Sequence, residues 1–299
     1  MREIRIYHVD AFTTEKFGGN TAGVVLDAEK LTEDEMQSIA KELNLPESVF
    51  LLPSNNEDVD YKVKYYTPSE EINFCGHATV GLTWLLATEF GLSEKKEGIV
   101  LETNIGKIPV VWHKEKNGNI INVEMTQVTP KTQNFTIDLE ELSHLIGVKT
   151  ESIDPTYPIK LASTGNWHLL VPMKNQMYID NAMPDLTALG KHNKEHNIST
   201  THLYTFNTSK DCDLYTRDFA PGIGIAEDPV TGAANGALAG FLYLESVIPQ
   251  SEMTHLKIAQ GDAVGRPGML YATVIPNELE AVIKVAGAAT ITIRGILTI

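Results

Sequence analysis

Laid over itself, the second half of this 299-residue chain matches the first at two places, in the same order. Gly19-Asn20-Thr21-Ala22-Gly23-Val24-Val25 aligns with Gly165-Asn166-Trp167-His168-Leu169-Leu170-Val171, each a Gly-Asn turn running into an apolar strand, at an offset of 146 residues. Further on, the segment from Glu71 through Cys75-Gly76-His77 to Gly81 aligns with that from Glu227 through Thr231-Gly232-Ala233 to Ala237, at an offset of 156. The glutamate, the residue four places on, the following glycine and the apolar run behind it all recur. Two matches in one order at nearly one spacing indicate a supersecondary unit built twice. The polar stretch 126–131, which carries Pro130, is the natural boundary. Residues 1–127 are expected to form an N-terminal lobe and residues 128–285 a C-terminal lobe. The last strand, residues 290–299, has no counterpart in the first half, so 286–299 is expected to return to the N-terminal lobe.

Hydrophobic patterning fills in each lobe. Residues 79–90 and 234–244 are apolar on every side, which marks buried helices. Thr32-Glu33-Asp34-Glu35 reads as a capping box with Met36, Ile39, Ala40 and Leu43 at helical spacing behind it, a surface helix ended by Pro46. Strands are predicted over 4–9, 24–26, 49–52, 61–66, 108–112 and 121–125, then over 169–171, 203–206, 213–219, 269–274 and 282–285. The fold class is α+β: two pseudo-symmetric lobes, each a curved mixed sheet, half a barrel, around a central buried helix.

With 42% apolar residues the chain is an ordinary globular one, which excludes a disordered or collagen-like protein. It has 39 acidic against 24 scattered basic residues, a net charge of −15, so nucleic acid and anionic membranes are not expected partners. The longest apolar stretch, 236–244, is well short of the roughly 18 residues of a membrane span. Residues 1–10 alternate like a strand rather than a signal peptide, and only Cys75 and Cys212 are present, so a cytoplasmic, reducing location is expected. No phosphate loop, nucleophile elbow or cysteine-pair motif occurs, and Gly222-Ile223-Gly224 lacks a third glycine. His192 and His196 are four apart in a highly polar segment that reads as a solvated helix face rather than a metal site. No metal or organic cofactor is expected.

Both repeated motifs put a glycine, Gly76 or Gly232, at the start of a buried helix, where unpartnered N–H groups and the helix dipole suit an anion the size of a carboxylate. The plainer reading is that each glycine permits close packing. Groups able to move protons lie nearby: Glu47, His77, Asp228, Glu227 and Cys75. Glu47 sits between Pro46 and the apolar run 49–52, where partial desolvation would favour its neutral form and suit it to acid–base work, unless it is only a solvated loop glutamate. His77, next to a helix start, is expected to stay neutral. Asp228 is a substrate ligand or a turn carboxylate before Pro229. Cys75 is a thiol made available by the helix end, or simply a buried cysteine. Its repeat partner is Thr231, so a two-thiol epimerisation is not available. Cys212, between Asp211 and Asp213, reads as structural.

Val9-Asp10-Ala11-Phe12 with Phe17-Gly18-Gly19-Asn20, Glu47-Ser48-Val49-Phe50, Cys75-Gly76-His77-Ala78-Thr79-Val80-Gly81, Glu227-Asp228-Pro229-Val230-Thr231-Gly232, Gln260-Gly261 and Gly265-Arg266-Pro267 together resemble the phenazine-biosynthesis PhzF-like family. The resemblance covers nearly the whole chain and implies the diaminopimelate epimerase fold, an active site between two similar lobes, no cofactor, and commonly a homodimer. It implies a proton shift on a small carboxylate substrate, with Glu47 as acid and base. His77 and Asp228 would position the substrate, and Gly76 and Gly232 would lie at the helix ends holding its carboxylate. Asn20, Cys75, Thr231 and Ala233 complete the expected substrate-binding set. The phenazine isomerases carry alanine at the position of Cys75 and serine at that of Ala233, so phenazine synthesis itself is not implied. The leading expectation is a cofactor-independent isomerase. A racemase or epimerase using Cys75 with Glu47, and a non-catalytic carboxylate-binding protein, are the alternatives.

Overall fold

The structure, a computed structural model, describes residues 1–277 and 280–299, and its internal contacts divide the chain into two units, Met1–Thr126 with Ala286–Ile299, and Gln127–Val285. In the first unit β1 (Glu3–Ala11) pairs antiparallel with β2 (Asn20–Val25). Helix α1 (Glu33–Leu43) makes the crossover to β3 (Glu47–Leu52), which runs parallel to β2. Antiparallel β4 (Tyr61–Tyr66) follows, and β5 (Glu71–Ile72) adds a short hairpin to it. After α2 (Gly76–Thr88), β6 (Gly98–Thr103) lies parallel to β4, and β7 (Gly106–Lys114) and β8 (Ile120–Thr126) continue antiparallel.

Helix α2 is buried on all sides and touches β1, β2 and β3 as well as β7 and β8. Strands from both ends of a sheet can reach one helix only if the sheet curls around it. The outer face of the sheet is covered by α1, whose Met36, Ile39 and Ala40 pack with Ile4, Val25, Phe50 and Tyr66. Strands β2 and β3 are therefore covered on both faces, which is why they read as continuous apolar runs. The capping box forms as the sequence predicts, Glu35 N–H donating to Thr32 Oγ1 and Thr32 N–H to Glu35 Oε2. The helix ends at Leu43, three residues before Pro46. Asn44 turns left-handed (φ 49°) and donates its N–H to the Ala40 carbonyl, a polar stop that needs no proline.

The second unit repeats this order. It holds β9 (Lys131–Asn134), α3 (Leu139–Leu145), β10 (Lys160–Ser163), β11 (Trp167–Pro172), α4 (Gln176–Asp180) and α5 (Leu186–Glu195). Then come β12 (Thr200–Thr205), β13 (Leu214–Ala220), β14 (Ile225–Asp228), α6 (Gly232–Leu244), β15 (Thr254–Gln260), β16 (Gly268–Pro276) and β17 (Ala281–Gly287), of which residues 281–285 belong to this unit. From β10 to β16 the pairings are antiparallel, parallel, antiparallel, antiparallel hairpin, parallel, antiparallel, the same succession as from β1 to β7. The final strand β18 (Ala289–Thr298) lies against β1 in the first unit, in the place that β9 takes against β10 in the second. Its counterpart thus exists but is displaced in chain order, so overlaying the sequence on itself does not reveal it.

The buried helices begin at Gly76 and Gly232, a turn earlier than apolar character alone placed the first. The segment 192–196 is a solvated face at Lys194, Glu195 and His196 but not at its start. His192 is buried, its ring 4.4 Å from that of His196, with Phe135 edge-on to both. Among the described residues no helix is long and apolar enough to cross a membrane.

Candidate active site

In the first unit the β2–β3 crossover puts Glu47 at the first position of β3, opposite Ala22, with 9% of its surface exposed. Cys75, with extended backbone, is the residue before α2, and its own side chain does not cap the helix's first N–H groups. His77, in the first turn, brings Nε2 to 3.2 Å from Glu47 Oε2. Cys75 Sγ lies 3.5 Å from His77 Nδ1 and 3.8 Å from Nε2. Burial pushes the His77 imidazole down to about 4, although its hydrogen bond to the Thr21 backbone works the other way. The ring is neutral near pH 7 as the sequence suggests, but burial rather than the helix end is the main cause. A neutral imidazole has one N–H, and donating it to a carbonyl leaves the other nitrogen as a lone-pair acceptor.

The support behind His77 was not legible as a function. Thr21 Oγ1 donates to Asp10 Oδ1 at 2.5 Å, Phe17 N–H donates to Asp10 Oδ2 at 2.8 Å, and Asp10 is almost wholly buried. Asn20 is fully buried where β2 starts. The turn before it needs Gly19, at φ +55°, because a Cβ there would run into the Ala11 carbonyl oxygen. Asp10 and Asn20 belong to the motifs quoted above; only the fold shows that the Asp10 carboxylate braces the residue on which His77 leans.

In the second unit Thr231 precedes α6, and its side chain likewise does not cap that helix's first N–H groups. Its Oγ1 lies 2.5 Å from Asp228 Oδ2 and 2.9 Å from Asp218 Oδ2. One hydroxyl proton serves one carboxylate at a time, so the two acids compete for it. Gln260 fixes this turn by donating to Thr231 Oγ1 and the Asp228 carbonyl and by accepting from Thr231 N–H and Asn235 Nδ2. Asp218 is completely buried, and burial pushes its carboxyl up. The hydrogen bond and charge of His202, the charge of His168 and the Thr200 hydroxyl outweigh that and hold it below the usual carboxylate range. His202 Nδ1 is 2.8 Å from Asp218 Oδ1, and Thr200 Oγ1 donates to the same oxygen at 2.6 Å. Neither Asp218 nor His202 was singled out from the sequence, where nothing marks them as a pair.

The repeat shows how the two units diverge. The register that sets Ala22 against Glu47 sets its match, His168, against Thr200, so Thr200 occupies the position of Glu47. Thr231 stands for Cys75 and Ala233 for His77, leaving the second unit without the thiol–imidazole–carboxyl cluster. Tyr65, opposite Val49, donates to or accepts from Thr79 Oγ1 at 2.7 Å; Asp218, opposite His202, fills the equivalent place with an ionised group. Both oxygens of Glu227 are engaged. Arg217 Nε and Nη2 hold its two oxygens at 2.8 Å each, while Nη1 donates to the carbonyls of Ile179 and Ala182. Cys212 is half-buried and its thiol is pushed up chiefly by that burial rather than by its acidic neighbours.

A curved sheet around a buried helix, present in two copies that differ in their polar residues, is the diaminopimelate epimerase-like fold, and the chain is an isomerase of that class. It belongs to the family described as phenazine biosynthesis-like protein, whose model matches residues 9–295. The uncharacterized isomerase YddE of Escherichia coli O157:H7 is 37% identical over 295 residues, 96% of each chain. Trans-2,3-dihydro-3-hydroxyanthranilate isomerase of Pseudomonas aeruginosa is 30% identical over 264 residues, 88% of each. The crystal structure of the Bacillus anthracis phenazine biosynthesis protein of the PhzF family superposes with a TM-score of 0.91 at 33% identity, covering all of both chains.

Proposed function

We propose that the chain isomerises a small carboxylate by moving one proton between two of its carbon atoms, with Glu47 as both base and acid. As carboxylate, Glu47 takes a proton from carbon; the C–H electron pair enters the substrate's π system, stabilised by conjugation. The resulting carboxylic acid then returns the proton to a second carbon as the double bond relocates, so Glu47 ends as it began. His77, neutral and braced through Thr21, stands against Glu47 and orients it without taking the proton away. The N–H groups at the helix starts, at Gly76 and at Gly232–Ala233, are assigned to substrate carboxylate binding, and Asn20, Cys75, Asp228 and Thr231 to positioning.

The observation that carries this reading is the 3.2 Å contact between Glu47 Oε2 and an imidazole kept neutral by burial. The name of the Pseudomonas relative supplies a substrate to try, a dihydroaromatic amino acid. Incubating wild type and Glu47→Gln in D2O with a panel of small carboxylates that includes trans-2,3-dihydro-3-hydroxyanthranilate tests it by NMR. Deuterium at carbon with wild type alone supports the reading. Binding of panel members without exchange in any of them would replace it with a binding protein. The proximity of the Cys75 thiol to His77 favours, as a second reading, a racemase in which Cys75 and Glu47 serve opposite faces. A cytoplasmic homodimer is part of the same proposal, and light scattering on the purified protein tests the dimer.

A further inference from the structure

The donor atoms of Glu47, Cys75 and His77 all lie within 4.8 Å of one another, a convergence that no spacing in the sequence announces. We propose that these three side chains form a site for a thiophilic divalent cation, Zn2+ in particular, and that the ion inhibits the enzyme by occupying the groups that move the proton.

The geometry suits the ion. Zn–S bonds of ~2.3 Å and Zn–N and Zn–O bonds of ~2.0–2.1 Å, set tetrahedrally, separate neighbouring donors by roughly 3.3–3.6 Å. With Nε2 as the ligating nitrogen, it stands 3.2 Å from Glu47 Oε2 and 3.8 Å from Cys75 Sγ, a few tenths of an ångström from that spacing. Side-chain torsions therefore suffice to gather the donors, and the fourth position is left for water. The ring is neutral, as a metal ligand must be, and its hydrogen bond to the Thr21 backbone is the outer-shell partner that fixes a ligating imidazole. Binding replaces the Cys75 S–H bond by S–Zn and releases that proton to solvent. Thiolate and carboxylate then balance the 2+ charge, so the buried cluster is neutral overall. A sulfur and a nitrogen among few donors select Zn2+ over Mg2+ or Ca2+. The second unit has Thr200, Thr231 and Ala233 at the matching positions and offers no such set.

Binding does not rest on the proton-shift reading; only inhibition does, so the two can fail separately. Co2+, added to the reduced full-length protein, is the probe. The expected result is one ion per chain with a sulfur-to-cobalt charge-transfer band and tetrahedral d–d absorption, bleached by one equivalent of Zn2+ and unaffected by excess Mg2+. The band should vanish in Cys75→Ala and persist in Cys212→Ala. Glu47→Gln should keep the band but weaken binding by at least the ~10–100-fold that disturbing an outer-shell partner costs. Because Glu47→Gln preserves shape, it serves if Cys75→Ala fails to fold. Absence of a sulfur-to-cobalt band in wild type, its survival in Cys75→Ala, or unchanged affinity in Glu47→Gln would overturn the site. With a substrate that exchanges in D2O, stoichiometric Zn2+ should stop exchange; full exchange by the zinc-loaded protein would overturn inhibition while leaving the site.

Discussion

Acidification should destabilise this protein well above the pH at which its carboxylates protonate. His77 and His168 are both buried, and burial is the first cause that takes each from 6.5 down to about 4. In the unfolded chain both rings regain the higher value. A base whose folded pKa is depressed contributes full stability above the unfolded pKa and loses it as pH falls toward the folded one, here from about 6.5 to about 4. Between pH 7 and pH 5 the unfolded ring becomes almost fully protonated while the folded ring stays ~90% neutral, a loss of about 2 kcal/mol per histidine. Carboxyls held below their usual range, such as Asp218, Asp27 and Asp60, keep their contribution until more acid pH and do not offset it. Urea unfolding at pH 7 and pH 5, read by circular dichroism and tryptophan fluorescence, measures the difference. One of these two lies in each unit, so the predicted fall is at least about 4 kcal/mol if the units unfold together and at least about 2 for each if they do not, with His8 and His192, also lowered by burial, adding in the same direction. His168→Gln should be less stable at pH 7 yet show a fall smaller by about 2 kcal/mol. An unchanged stability between pH 7 and 5, or the same fall in the variant, would refute burial as the cause.

Two further outcomes follow from the geometry. Asp218→Ala strips the acceptor from His202, Thr200 and Thr231 in a fully buried place and should cost about 3–5 kcal/mol in urea unfolding, whereas Asp218→Asn, which keeps one acceptor oxygen, should cost less than half of that. A loss below ~1 kcal/mol for alanine would mean that water replaces the carboxylate. Cys75→Ala should slow deuterium exchange by less than tenfold; a drop within the ~10²–10⁴ range of a general acid–base group would favour the thiol racemase.

Much of the fold was legible because its grammar is local. Apolar runs without periodicity marked α2 and α6, and the capping box marked α1. The strands that went unread are those whose residues do not alternate cleanly or whose length is minimal: β5 is two residues, β9 is polar throughout, and β6, β10, β14 and β15 lie between stronger signals. In the site, motif residues could be named but not their partners. Glu227 and Asp228 are adjacent and alike in sequence, yet one is locked by Arg217 and the other faces Thr231. What separates them is a residue on β13 that only strand pairing brings near. Asp218 and His202 were invisible for the same reason: a buried charge is recognised by its register opposite a histidine, not by its neighbours in the chain. The convergence of Cys75 and Glu47 on His77 likewise depends on the parallel pairing of β2 with β3.

The central claim is that the carboxyl of Glu47 carries the proton. The most direct test is steady-state kinetics of wild type and Glu47→Gln on the first compound that exchanges in D2O. The account predicts kcat lower by about 10²–10⁴ with KM changed little, since glutamine keeps the shape and the contact with His77 but cannot hold and return a proton. A variant that retains kcat, or loses activity only through a raised KM, would show that Glu47 binds substrate and that another group moves the proton.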